Sequence, residues 1–186
     1  MTGVDLSEPF VDAARYLTDR TGLSRQVSFQ TASALELPFG QGRFTVVLLQ
    51  HVAMNISDRV QLYREIRRVL KPRGRFATFD VVANSGEPHY PLPWARTRAT
   101  SFVLSATATR KAIETAGFRT LAWQDDTEAA KVWFAQLRAS GPPPAPNLGT
   151  VMGPDFAQVA ANLGRSLLDG RVGILTAVFE AAQIHT

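Results

Sequence analysis

Apolar positions along the chain change their period repeatedly, and each change marks an element. Thr2-Gly3-Val4-Asp5-Leu6-Ser7 reads as the end of a buried strand followed at once by a helix start. Ser7 is a candidate N-cap, and Phe10, Ala14 and Leu17 recur at helical spacing until Gly22 offers a stop. Val27 to Thr31 alternates as a strand does, and Leu37-Pro38-Phe39-Gly40-Gln41-Gly42 carries the residues that favour turns. Phe44 to Leu49 is a continuous apolar run of strand length, the pattern expected of a strand buried on both faces of a parallel sheet. Asp58 should cap a helix bearing Leu62, Ile66, Val69 and Leu70, which Pro72 and Gly74 end before a buried strand at Phe76 to Val82.

The second half is punctuated differently. Gly86, Pro88, Pro91 and Pro93 make residues 84–100 a long ordered loop or lid. A helix is predicted over Ser105 to Ala116, a strand over Phe118 to Trp123, and a helix over Thr127 to Leu137 with Ala130, Trp133, Phe134 and Leu137 on one side. A stiff, proline-rich spacer covers residues 141–154. Asp155 then caps a helix carrying Phe156, Val159, Ala160, Leu163 and Leu167, and Val172 to Phe179 is a last strand. Strands alternating with helices argue for an α/β fold with a mostly parallel, Rossmann-like sheet, closed by an antiparallel C-terminal strand. Residues 1–186 are expected to form one domain, with the spacer inside it.

Composition narrows the partners. The formal charge is +4, but the cations are scattered among carboxylates rather than clustered, so a nucleic-acid partner is not expected. There are no cysteines, which excludes disulfides, cysteine-ligated zinc and thiolate nucleophiles, and no metal site is expected. The apolar runs are too short to span a bilayer, and no basic-then-apolar leader follows Met1, so a soluble, cytoplasmic protein without a membrane partner is expected.

The candidate chemistry begins at Asp5. An acidic residue at the C-terminal tip of a parallel strand is where α/β nucleotide-binding domains hold a ribose, because one carboxylate accepts from both sugar hydroxyls. The Gly-x-Gly-x-x-Gly turn that should precede it occurs nowhere in the chain.

Val4-Asp5-Leu6-Ser7, Ala34-Leu35-Glu36-Leu37-Pro38-Phe39, Phe44-Thr45-Val46-Val47 and Val69-Leu70-Lys71-Pro72-Arg73-Gly74-Arg75 stand in an order and spacing that resembles the class I S-adenosylmethionine-dependent methyltransferases. Gln50-His51-Val52-Ala53-Met54-Asn55-Ile56 and Met152-Gly153-Pro154-Asp155-Phe156 are similar to the sarcosine and dimethylglycine N-methyltransferase subgroup. The resemblance implies S-adenosylmethionine as cofactor and a small-molecule methyl acceptor, with an amine favoured. It implies that Asp5 holds the ribose diol, that Leu6 packs on adenine, that Ser33, Ala34 and Leu35 border the adenine edge, and that Gln50 also lines the cofactor site. Ser33 stands where the family usually has Asp, Thr45 where it has Asp, and Arg73 where it has Gly, a position that strains a side chain if the turn is left-handed.

The resemblance starts at the family's second strand. In the family the first strand lies at the sheet centre and its glycine loop meets the methionine end of the cofactor. The expectation is therefore a domain lacking its first βα unit, as a truncated gene product or with another chain, such as a second copy in a homo-oligomer, completing the sheet.

Each candidate has a plainer reading beside it. His51, after the fourth family strand, could orient an amine or take its proton as the catalytic base, or could be structural. Asn55 could bind the acceptor or cap a turn, and His89, Tyr90 and Trp94 could line a substrate pocket or pack the loop. Two other functions compete with methyl transfer: a non-catalytic or partner-dependent remnant, and a nicotinamide-dependent dehydrogenase, which the Leu-Pro-Phe segment and the late final strand disfavour.

Overall fold

The computed structural model describes residues 1–141 and 148–182. Its elements run β1 (Thr2–Asp5), α1 (Glu8–Arg20), β2 (Ser28–Thr31), β3 (Phe44–Gln50), α2 (Arg59–Val69), β4 (Leu70–Ala83), α3 (Ala106–Thr115), β5 (Phe118–Asp125), α4 (Thr127–Ala139), α5 (Leu148–Met152), α6 (Phe156–Leu168) and β6 (Val172–Ala181). This is the expected alternation with one short helix added. The proline run of the spacer lies outside the described residues, and α5 occupies part of the spacer's second half. No helix among the described residues is long and apolar enough to cross a membrane, and no cluster of His, Asp and Glu among them could hold a metal ion.

The local causes are visible at the caps. Asp58 accepts from Gln61 N at 2.9 Å to start α2, and Ser105 accepts from Ala108 N at 3.2 Å to start α3. Ser7 occupies the N-cap position of α1 without a side-chain cap. Asp5 Oδ1 instead accepts from Ser7 N at 2.8 Å. Asp155 likewise precedes α6 without capping it, and its carboxylate accepts from Arg96 at 2.6 Å.

The strands form two sheets. One pairs β1 and β2 in parallel; the other has the order β3-β4-β6-β5, with β3 and β4 parallel and β6 antiparallel to both β4 and β5. In the larger sheet Phe76 pairs with Phe179, and the two rings stack 5.8 Å apart, with Phe118 at 5.5 Å from Phe76. This aromatic centre lies with Leu62, Tyr63 and Ile66 of α2 and Ile113 of α3 in the main core. A second cluster gathers Val81, Val172, Ile174 and Leu167, with Phe134 of α4, Leu163 of α6 and Trp94 packed against it. Alternate residues of β4 and β6 thus feed the two clusters, as the two-residue period of a strand requires.

One expectation needs correcting. The run Phe44 to Leu49 does not form a strand buried on both faces: Val46 is 56% and Leu48 64% exposed, while Leu49 is buried. The reason is that Val46 and Leu48 share one face of β3, which nothing among the described residues covers, while Leu49 points to the opposite, packed face; β3 is also hydrogen-bonded on one edge only, to β4. β1 is likewise paired on one edge only. In α1, Phe10 and Leu17 lie on the predicted apolar face yet are 57% and 61% exposed, and Val11 supplies the helix's buried contact.

Arg73 adopts φ 60, so the turn is left-handed at this position and the side chain bears the strain that such a turn imposes. At the adjacent Gly74 a Cβ would lie 2.9 Å from the carbonyl oxygen of Lys71, so backbone approach explains that glycine.

Candidate active site at the carboxyl ends of the parallel strands

Parallel pairing brings strand tips together, and the candidate residues follow from that. Asp5 ends β1 opposite Thr31 of β2, and Ala32 N donates to Asp5 O at 2.9 Å, so Asp5 and the segment Ala32-Ser33 lie side by side. Asp5 is exposed, and its Oδ1 is held by Ser7 N, a bond that fixes the carboxylate and leaves Oδ2 available. Leu6 is 77% exposed beside it. Ser33 Oγ accepts from Leu35 N at 3.1 Å, which turns the chain toward α2. Ala34 and Leu35 are half-buried and pack on the main core.

That segment is clamped from α2. Gln61 Nε2 donates to Leu35 O at 3.0 Å, and the buried Glu65 accepts from Leu37 N at 2.8 Å. Arg68 bridges Glu65 at 2.7 Å and donates to Phe39 O at 2.6 Å and Leu37 O at 2.9 Å. The Arg68 guanidinium holds the Glu65 carboxyl below its ordinary pKa. The loop expected to border a cofactor is therefore tied to the larger sheet's helix layer.

At the tip of β3, Gln50 is exposed opposite Phe79, and His51 follows with φ 52. His51 N donates to Phe79 O at 2.9 Å and its ring meets the Phe79 ring edge to face at 4.6 Å. The residue is exposed, but its neighbours desolvate the ring enough to lower its pKa from the ordinary value, which favours a neutral imidazole at physiological pH. A short 3-10 turn, Ala53–Asn55, follows, with Ala53 and Met54 buried and Asn55 exposed at its end.

The loop residues are placed otherwise. His89 Nε2 lies 2.7 Å from Asp169 Oδ2, and its backbone N–H donates to the buried Ser166 Oγ at 2.9 Å, which fastens the loop to the end of α6. Trp94 Nε1 donates to Ser101 Oγ at 3.0 Å while its ring packs on the second cluster. Tyr90 is half-buried beside them. Asn55 and these loop residues are not linked by a hydrogen bond among the contacts described.

Sequence reasoning missed Asp80 and Arg59. Asp80, 4% exposed near the carboxyl end of β4, accepts from Ala53 N at 3.0 Å and Val81 N at 2.9 Å. Burial pushes its pKa up to about 6 despite those two bonds and the Arg59 charge. Arg59, 7% exposed, donates to Ile56 O at 3.0 Å, Tyr63 Oη at 3.2 Å and Phe102 O at 2.9 Å. A lone Asp inside the apolar run Phe76 to Val82 was the available signal, since an ionisable group is rarely buried without cause.

Comparison with known proteins bears on the domain and the fold. Residues 1–78 match the family described as methyltransferase domain. The methyltransferase GfsG of Streptomyces halstedii is 35% identical over 80 residues, covering 43% of this chain and 29% of that protein. The chain thus matches under a third of that relative's length. Among solved structures, the geranyl diphosphate C-methyltransferase of Streptomyces coelicolor, in complex with geranyl diphosphate and S-adenosyl-L-homocysteine, superposes with a TM-score of 0.76 at 18% identity. That match covers 97% of this chain and 63% of the other. A putative sarcosine dimethylglycine methyltransferase of Galdieria sulphuraria gives a TM-score of 0.71 at 15% identity, covering 97% and 69%. These two likenesses establish the fold. The chain shares its fold with these methyltransferases, and its residues 1–78 match the methyltransferase domain family.

Proposed function

We propose that this chain takes part in methyl transfer from S-adenosylmethionine to a small-molecule acceptor, with an amine as the acceptor class. The observation that carries the reading is Asp5: a carboxylate at a parallel strand tip, fixed through one oxygen by Ser7 N and open at the other, beside the exposed Leu6. That arrangement suits a ribose diol, with Leu6 against adenine and Ser33, Ala34 and Leu35 along the adenine edge. The cofactor supplies an electrophilic methyl on a sulfonium, so the protein's task is alignment and proton removal. Gln50 lines the cofactor side of the β3 tip, and the neutral imidazole of His51 is suited to accept the proton an amine loses. Asn55 and Tyr90 contribute polar groups toward the acceptor, while His89 and Trp94 hold the loop on which Tyr90 sits.

The test is calorimetric titration with S-adenosylmethionine of the wild type and Asp5→Ala. A charge-assisted pair of bonds is worth roughly 1.5–3 kcal/mol, so the variant should bind on the order of tenfold or more weakly. Equal affinities remove Asp5 from the site.

A second reading is favoured by the split sheet. β1 and β3 each have an unpaired edge, and Leu6, Phe10, Val46 and Leu48 are exposed, so a further strand between the two sheets would pair backbone and cover apolar surface together. In this reading the chain is a partner-dependent module, and the strand comes from a longer form of the protein or from a second copy in a homo-oligomer. Light scattering and thermal unfolding with and without cofactor, on this chain and on an N-terminally extended form, separate the cases. A monomeric 186-residue chain with a large, saturable stabilisation by cofactor refutes the need for the added strand.

A further inference from the structure

The carboxyl end of β4 holds a polar unit that the proposed methyl transfer does not itself use. Asp80 lies on the face of β4 that also carries Phe76 and Val82, within the main core. Both its oxygens are engaged by backbone: Oδ2 by Ala53 N at 3.0 Å and Oδ1 by Val81 N at 2.9 Å. Ala53 opens the turn that follows His51, and Met54 O in the same turn accepts from Phe102 N at 2.9 Å. Arg59 ties the far end of that turn, Ile56 O, to Phe102 O and Tyr63 Oη. Four segments therefore meet here: the β4 end, the turn after β3, the start of α2, and the end of the long loop.

We propose that Asp80 is the positioning residue of this site, setting through the Ala53 N–H the turn that carries His51 and Asn55, and gripping it more firmly as a carboxylate than as a neutral acid. Hydrophobic packing alone would place the turn with any residue of suitable volume at position 80. An ionisable side chain inside a core is costly, and here its contacts go to the backbone of the turn and to its own strand rather than to a salt-bridged surface group. A carboxylate accepts a stronger hydrogen bond than a carboxyl does, so the grip on Ala53 follows the charge. The charged and titratable groups bearing on Asp80 are Arg59 and Tyr63 of α2. His51 lies two residues before Ala53, with its ring on Phe79. Burial raises the Asp80 pKa to about 6, which puts the change of grip within reach of mild acid.

This inference rests on the methyl-transfer reading for its functional arm only. The experiment is an NMR titration of the full chain from pH 4.5 to 8, wild type and Asp80→Asn, following the backbone amides of Ala53 and His51. In the wild type the Ala53 amide proton should shift downfield as pH rises, with a midpoint near 6; in the variant that Ala53 movement should vanish, while the His51 amide continues to follow its own ring. A flat Ala53 amide in the wild type overturns the proposal without any variant. Persistence of the Ala53 titration in Asp80→Asn also overturns it, assigning the effect to His51. In the functional arm, the affinity for S-adenosylmethionine should change with the same midpoint in the wild type and not in the variant. An identical pH profile in the two proteins overturns the link to the site. Loss of cofactor binding at every pH in both proteins counts against the methyl-transfer reading, while the Ala53 titration still decides the positioning role.

Discussion

Replacing Asp80 by Asn should make the protein more resistant to heat at neutral pH, and by an amount that depends on pH in a calculable way. The Asp80 pKa rises from 3.8 to about 6 on folding, because the core disfavours the charged form. The folded value lies above the unfolded one, so the stability contributed by the Asp80 proton is complete below pH 3.8 and is gone once pH has risen through about 6. A shift of that size is worth about 3 kcal/mol in full, and about 2.5 kcal/mol of it falls between pH 4 and pH 7. Asn has the same shape, keeps an acceptor for Ala53 N and carries no charge at any pH. The stability of Asp80→Asn relative to wild type should therefore increase by about 2.5 kcal/mol from pH 4 to pH 7, roughly 5–10 °C in melting temperature for a chain of this size. The comparison is a difference of differences, so any fixed cost of the amide's geometry cancels. Differential scanning calorimetry of both proteins at four or five pH values makes the measurement. A gap between the two melting temperatures that stays constant across the range refutes the buried-charge argument, however large the gap is.

Two other outcomes follow from the geometry of the turns and caps. Arg73→Gly should stabilise by about 1 kcal/mol, since Arg73 sits at φ 60 where glycine pays no Cβ penalty; chemical denaturation showing no gain would mean the arginine side chain offsets the strain. Asp58→Ala should destabilise by about 1 kcal/mol through loss of the bond from Gln61 N that starts α2, and an unchanged denaturation midpoint would show the cap to be replaceable by water.

Much of this architecture can be read from local pattern. Helices α2 and α3 are announced by Asp58 and Ser105 and by apolar residues at helical spacing, and the structure places both caps on the backbone groups they should serve. Asp5 and Ser33 come together for a simple reason: parallel neighbours put their C-terminal ends at the same edge. The run Phe44 to Leu49 was misleading because hydrophobicity reports a preference for burial, whereas burial of Val46 and Leu48 depends on a neighbour that pattern cannot supply. For His89 and Trp94 the sequence leaves a substrate pocket and loop packing both open, because the partners that hold them, Asp169, 80 residues away, and Ser101, are not visible in local pattern. Asp80 was hidden for the opposite reason: within an apolar strand one carboxylate looks like an interruption, and its meaning emerges when Ala53 N is found above it.

The place of β6 has a consequence for how the protein is made. Val172–Ala181 is inserted between β4 and β5, pairing with Arg75–Ala83 on one side and Phe118–Asp125 on the other. On the ribosome, β4 and β5 are complete well before the strand that joins them exists. At roughly 5–20 residues per second, the 88 residues between Ala83 and Val172 leave the β6-facing edge of β4 unpaired for about 4–18 s. Neither strand has another strand in that sheet to take the same position, so the nascent chain must keep two sticky edges apart until its final strand emerges. Synthesis rate, and access of a holdase to the emerging chain, should therefore govern the yield of folded protein as strongly as the stability of the finished sheet does.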